Sequence, residues 1–163
     1  MRLSEGTISY LIGCHQFFLH PLWVLVAWIK EYRSLPKFWE LCCIFLHDIG
    51  HIGKDYLSDS KQKAEHWILG AKIARLLFGE KGFLLIAGHV TKSPYPRSKL
   101  YLPDKRSWLE APDWWLLSNS LIEDFETNAS LPKNWKRLVR ENIENGCPKG
   151  SHELYLENKG KDL

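Results

Sequence analysis

The cysteines form no C-x-x-C pair, so the sequence lacks the usual signature of a zinc knuckle or a dithiol redox site. Two of the four are neighbours inside an apolar run, where small buried side chains are a better interpretation than a disulfide framework. This pattern favours a reducing compartment, and we expect a cytoplasmic protein. The four are Cys14, Cys42, Cys43 and Cys147.

Long hydrophobic runs are also missing. The apolar stretch from Phe17 to Ile29 is interrupted by His20 and Pro21 and is shorter than the roughly 18 to 20 residues that a membrane span needs. With Glu5 near the terminus and no small-residue cleavage site, the segment is also a poor signal peptide. We therefore expect no membrane partner.

Neither sign of charge dominates, since the formal net charge is only +3. Such a small excess suggests neither a nucleic-acid coat nor a membrane-surface protein, and nucleic acid is not an expected partner. An anionic small molecule is compatible with it.

Sustained alternation of apolar and polar residues is nearly absent, whereas helical periodicity is common. Pro96 and Pro94 place a loop at 93–96, because two prolines in three residues remove backbone donors. Gly79 is expected to end the third helix, which Ser58, Asp59 or Ser60 would cap. The predicted helices are 20–32, 37–49, 60–77, 82–90, 112–125 and 132–144, with a short segment at 98–109 between the fourth and the fifth.

With 163 residues, 45% of them hydrophobic, the chain can bury a sizeable core. We predict one domain over residues 1–163, folded as an all-α, single compact helical bundle. Its core would span about 15–125, and a C-terminal helix with a polar, loosely held tail would occupy about 131–163.

The pair His47 and Asp48 closes the apolar run 38–46 and carries the clearest chemical signal. A neutral imidazole and a carboxylate on consecutive residues can both bind one divalent metal, and the apolar run would hold them in a dry interior. Other histidines and one aspartate also lie close to apolar sequence, so they could project into the same interior, as in metal sites built from facing helices. These are His20, His66, His89 and Asp104.

Two of these assignments have alternatives. His15 could replace His20 as the first ligand, although His20 opens the better helix. Asp113 could replace Asp104 as a ligand. We prefer Asp104 because of its neighbours, Leu102-Pro103 before it and Lys105 after it.

The order His20, His47-Asp48, Asp104 resembles the H...HD...D signature of the HD superfamily of metal-dependent phosphohydrolases, and the run HDIGH resembles the HDIG form of its central motif. Adding His66 and His89 gives a pattern similar to that of the two-metal members, including the HD-GYP type. The resemblance covers roughly residues 15 to 125. It departs from the HD-GYP type at His51, where those proteins usually have lysine, and in lacking the GYP motif.

The resemblance implies a helical bundle of the HD-domain type that holds one or two divalent ions (Mn, Fe, Co, Ni, Mg or Zn). His20, His47 and Asp104 would coordinate one metal ion, and His66 and His89 would coordinate the other. Asp48 would bridge the two ions. The implied activity is hydrolysis of a nucleotide or another small phosphate ester by a metal-activated water.

Further residues are candidates for substrate and proton handling. His51 lies three residues after Asp48 and could act as a general acid, in which case its removal would leave the metals bound. Lys54 could also offset charge in the transition state. Trp108, Trp114 and Trp115 are expected in the core, with stacking on a base as the alternative. The cations expected to hold phosphate oxygens are Lys54, Lys92, Arg97 and Lys105.

Two other functions fit the same residues. Some HD-type proteins with a similar ligand pattern hold a mixed-valent pair of irons and use dioxygen to cleave a carbon bond. A non-catalytic nucleotide-binding module is the other, but it gives no reason for so many buried polar groups. Hydrolysis is preferred because cationic residues flank the proposed site.

Overall fold

The computed structural model describes residues 3–54, 60–123 and 128–161, and within these ranges the chain is all-α, as the sequence predicts. Short 3-10 turns occur at Ile49–His51 and Asn128–Ser130. No helix in these ranges is both long and apolar enough to cross a bilayer. The helices are α1 (Glu5–Ile12), α2 (Leu19–Tyr32), α3 (Phe38–Leu46), α4 (Ser60–Ala64), α5 (Trp67–Phe78), α6 (Glu80–Ala87), α7 (Tyr101–Glu110), α8 (Asp113–Ile122), α9 (Pro132–Glu144) and α10 (Ser151–Asn158).

Local sequence signals explain several helix ends. The Thr7 backbone N–H donates to Oγ of Ser4 at the start of α1, and Oε2 of Glu40 accepts from the Lys37 N–H at the start of α3. Pro132 occupies the first turn of α9, where its missing N–H costs nothing. Gly79 has a φ of +71°, which suits glycine and separates α5 from α6.

The single third helix that the periodicity predicts is in fact two, α4 and α5, separated by Glu65 and His66. His66 therefore precedes α5 instead of lying within a continuous helix. Periodicity misses this break because apolar residues continue on both sides of it. The proposed caps Ser58 and Asp59 lie outside the described residues.

The tail after α9 is more ordered than its polar composition suggests. Leu154 and Tyr155 of α10 are buried. The turn before α10 is held by Asn142, whose side-chain amide donates to the Lys149 carbonyl, and by Arg97, which donates to the carbonyls of Gly146 and Cys147. The expectation of a loosely held tail considered only local composition, which does not reveal these contacts between distant residues.

Two clusters of buried side chains form the core. The first includes Trp28 of α2, Ile44 of α3 and Ile86 of α6. The second includes Trp108 of α7 and Trp135 of α9, together with residues of α8 and α10. Helix α2 packs along α7, so these two helices join the two parts of the core.

Candidate metal centre

The structure brings all six predicted ligand residues into one buried cluster. They come from five separate segments of the chain, so only the folded chain assembles them. All six side chains belong to residues that are less than a tenth exposed. They are His20 on α2, His47 and Asp48 after α3, His66 before α5, His89 after α6 and Asp104 on α7.

One carboxylate oxygen of Asp48 faces a first set of donor atoms. Oδ2 of Asp48 lies 3.3 Å from Nε2 of His20 and 3.3 Å from Nε2 of His47. Oδ1 of Asp104 lies 3.3 Å and 3.5 Å from the same two nitrogens. Donors about 2.1 Å from a tetrahedral centre lie about 3.4 Å apart, so these four atoms have the spacing of ligands around one ion.

The other oxygen of Asp48 faces a second set of donors. Oδ1 lies 3.5 Å from Nε2 of His66 and 3.7 Å from Nε2 of both His89 and His51. The Nε2 atoms of His66 and His89 are 3.2 Å apart. Asp48 thus lies between two groups of imidazoles, with one oxygen directed to each.

Three of the imidazoles are oriented by the same local device. The Nδ1–H groups of His47, His66 and His89 each donate to the carbonyl three residues earlier. This hydrogen bond assigns the proton to Nδ1 and leaves the lone pair of Nε2 directed into the cluster, which is how metal-binding histidines are usually oriented.

Several buried polar atoms at the centre make no well-aligned hydrogen bond to the described residues. They include Nε2 of His20, Nε2 of His47 and Oδ2 of Asp48. Buried polar atoms without hydrogen bonds are costly in a folded protein unless another group satisfies them. Because each of these atoms belongs to the first donor set, the residues fit a bound cation, and the cluster could hold a metal ion.

Opposing effects set the charges of the cluster. Burial lowers the pKa of His47, but the neighbouring carboxylates of Asp48 and Asp104 raise it overall to about 10. Burial raises the pKa of Asp48, but the close contacts with His47 and His20 bring it well below its usual value. Without a metal, the first donor set therefore combines anionic carboxylates with protonated imidazole.

The second donor set has the opposite tendency. Burial lowers the pKa of His66 to about 3, outweighing the nearby Asp48 carboxylate. Burial also lowers the pKa values of His89 and His51. These imidazoles are neutral at pH 7, which is the state that binds metals.

Two glycines allow the close packing that forms the cluster. A Cβ on Gly50 would lie 1.6 Å from the carbonyl oxygen of His66, and one on Gly70 would lie 2.4 Å from that of Leu46. Only glycine fits at these two positions, because the neighbouring backbone lies too close for a Cβ atom. The glycine of the HDIGH run thereby brings Asp48 and His51 against the segment that carries His66.

His51 lies against the second donor set. Its imidazole is fully buried and stacks on that of His66, with 4.4 Å between ring centroids and 10° between ring planes. His51 lines the cavity above the cluster and presents Nε2 to Oδ1 of Asp48, as His66 and His89 do. This position is compatible with a ligand role as well as with the predicted general-acid role.

The predicted phosphate-binding cations divide into two groups. Lys105 and Lys92 line the cavity above the cluster. Nζ of Lys105 donates to Oδ2 of Asp104 at 2.6 Å, and Lys92 pairs with Glu153. Lys54 and Arg97 are not among the described residues that line this cavity, and Arg97 instead holds the turn before α10.

The structure also shows where the alternative ligands Asp113 and His15 lie. Asp113 is exposed and pairs with Lys136, away from the cluster, so the geometry favours Asp104. His20 lies within the first donor set. His15 has its ring centroid 4.2 Å from that of His51, and its donor atom lies within 4.8 Å of donor atoms of Asp48 and His51, so it remains an alternative ligand. Trp108 and Trp115 are buried, but Trp114 is exposed, contrary to its expected place in the core.

Sequence reasoning missed two residues that line the same cavity, Lys63 on α4 and His152 on α10. Burial lowers the pKa of Lys63 to about 8. No periodic signal could have found either residue, because Lys63 lies in a polar segment and His152 in a tail without a motif. A lysine three residues before the predicted ligand His66 was the one available hint.

Comparisons with protein-family models, with curated proteins and with solved structures gave no match for this chain. The fold and the site therefore define its class by themselves. It is an all-α protein with a buried cluster of histidines and aspartates that could hold a metal ion.

Proposed function

We propose that this chain is a metal-dependent phosphohydrolase of the HD type, acting on a nucleotide or another small phosphate ester. The observation that carries the proposal is the position of Asp48, whose two oxygens face two different sets of imidazoles. A carboxylate that bridges two cations is the arrangement that two-metal hydrolysis uses.

The proposed ligand sets follow from the distances. His20, His47 and Asp104 would hold one ion, and His66, His89 and His51 would hold the other, with Asp48 shared. Such ions would supply a water that loses its proton near neutral pH, and they would neutralise charge on the phosphate oxygens. Imidazole-rich ligand sets suit Fe, Co, Ni or Zn better than Mg or Mn, so we expect one of the former.

The remaining cavity residues would bind the substrate. Lys63, Lys105 and Lys92 place positive charge around the opening above the cluster, where it would attract and orient a phosphate group as point charges. Trp108 closes one side of the cavity and would exclude bulk water.

The test combines metal analysis with a substrate panel. Purified protein would be analysed for bound metals, then loaded with Mn, Co, Ni or Zn and incubated with nucleotides, deoxynucleotides and sugar phosphates. We expect release of phosphate, pyrophosphate or triphosphate that a chelator abolishes. Metal-loaded protein that turns over none of these compounds would contradict the proposal.

A diiron oxygenase is the second candidate, because the same histidine-rich donor sets suit iron as well. Elemental analysis separates the two candidates. Two irons per chain with an oxygen-dependent spectral change would reverse our preference, whereas nucleotide binding without any turnover would indicate a non-catalytic module.

A further inference from the structure

A second cavity adjoins the metal centre on the side of α8, α9 and α10. We call it the tryptophan pocket, after Trp108 and Trp135 in its wall. It shares part of its wall with the cavity above the metal centre. The shared residues are His15, Lys63, Trp108, Ser151 and His152.

The walls of the tryptophan pocket combine aromatic side chains with polar ones, Glu123 and Asn119 among them. Trp108 and Trp135 contribute rings whose centroids are 5.7 Å apart and whose planes meet at 89°, and Tyr155 and Leu116 complete the apolar surface. Rigid aromatic walls of this kind favour a flat, aromatic ligand group over a flexible chain, because stacking adds to the effect of burial.

One polar group in this pocket points to a specific ligand. Asn119 on α8 is only 4% exposed and lines the pocket, yet its Nδ2 has no hydrogen-bond partner among the described residues. A buried amide donor without a partner is destabilising by itself. A ligand with a hydrogen-bond acceptor on its ring would satisfy it.

Positive charge lies where the two cavities meet. Lys63 lines both of them. A phosphate placed near this lysine would therefore be close to the metal centre, while a group attached to it would extend toward Trp135 and Asn119.

We infer that the tryptophan pocket binds the nucleobase of a nucleotide whose phosphate lies at the metal centre. The inference rests on the proposed function for the phosphate, but not for the base, which the pocket would bind without any metal. Asn119 recognises an acceptor on the base, Trp108 and Trp135 contact its faces and edges, and Lys63 lies beside the phosphate.

The first experiment measures binding without turnover. Chelator-treated protein would be titrated calorimetrically with adenosine, guanosine, cytidine and uridine. We expect binding of at least one nucleoside, weakened roughly tenfold by Asn119→Ala, the usual loss for one hydrogen bond. Asn134→Ala is the matched control, because Asn134 is a half-buried amide on α9 that does not line the pocket.

The second experiment compares substrates on metal-loaded protein. The nucleoside 5′-monophosphate of the bound base should exceed ribose 5-phosphate in kcat/KM by roughly tenfold to a hundredfold. Asn119→Ala should reduce this ratio, and Asn134→Ala should not. Thermal melts check folding, and Asn119→Asp, which keeps the size of the side chain but not the donor, provides a second variant.

The outcomes separate this inference from the proposed function. Nucleoside binding that depends on Asn119, in protein without phosphatase activity, would support the pocket and contradict the hydrolase. Two results would overturn the inference: equal rates of hydrolysis of ribose 5-phosphate and nucleotides, or the failure of all four nucleosides to bind folded protein. Neither result decides whether the chain is a hydrolase, which the test under the proposed function measures separately.

Discussion

Nε2 of His51 lies 3.7 Å from Oδ1 of Asp48, the same separation as Nε2 of His89. A histidine that the HDIGH run places one helical turn after the aspartate thus occupies a position equivalent to a predicted ligand. The variant His51→Ala should therefore weaken binding of one ion at least roughly tenfold, whereas a general acid would leave metal content unchanged. Elemental analysis of protein dialysed against a weak chelator measures the metal content of the variant.

His152→Ala is the control for that variant, because His152 lines the cavity but is not within either donor set. It should retain the metal content of the unmodified protein. Full metal content in His51→Ala, together with slower turnover, would restore the general-acid role.

Replacing Asp48 should have a larger effect, since both donor sets meet at its carboxylate. Asp48→Asn should lose at least one ion and nearly all turnover, because an amide carries no charge to balance two cations. Metal content and phosphate release would be measured on the same preparation. Asp113→Asn, at an exposed aspartate on α8, is the matched control and should behave as the unmodified protein. An Asp48→Asn protein with full metal content and full activity would contradict the proposal that Asp48 bridges two metal ions.

Metal binding should depend on pH in one donor set and not in the other. The pKa of His47 is about 10 in the metal-free protein, so an ion must displace its proton at pH 7, and affinity should rise as pH rises toward that value. The increase should be about tenfold per pH unit between about pH 6.5 and about pH 8.5 for each proton displaced.

The pKa of His66 is lowered to about 3, so this imidazole is already neutral across that range, and the ion of the second set should bind with nearly constant affinity. Competition with a chelator of known affinity at several pH values measures both constants. Two ions with the same pH dependence would contradict the assignment of the donor sets.

Gly50 should be intolerant of any side chain. A Cβ there would lie 1.6 Å from the His66 carbonyl oxygen, so Gly50→Ala must push the two segments apart. We expect a loss of about 3 kcal/mol in the free energy of unfolding and weaker metal binding. Denaturant unfolding and metal titration measure the two effects.

Gly53→Ala separates packing from backbone conformation. Gly53 has a φ of +78° and no atom within 4 Å of an added Cβ, so alanine should cost only about 1 kcal/mol there and leave metal binding intact. Equal losses in the two variants would show that steric contact with His66 is not the reason for Gly50.

The all-α class could be predicted from local periodicity, and the six candidate ligands from apolar context and their resemblance to the H...HD...H...H...D pattern. Helical periodicity depends on neighbouring residues, and the HDIGH run places His47 and Asp48 together whatever the rest of the chain does. The assignment of His51 could not be predicted in this way, since its two possible roles differ only in what its ring faces.

Tertiary structure alone decided the rest. The separation of α4 from α5, the docking of α10 and the cavity position of Lys63 all depend on contacts between residues far apart in sequence. The same holds for the division of the Asp48 oxygens, because each oxygen faces imidazoles from different segments. The sequence by itself determined which candidate ligand residues are available. The packing of the helices determined which of their atoms face each other. No local pattern encodes this, because distances across a fold depend on how side-chain volumes pack together.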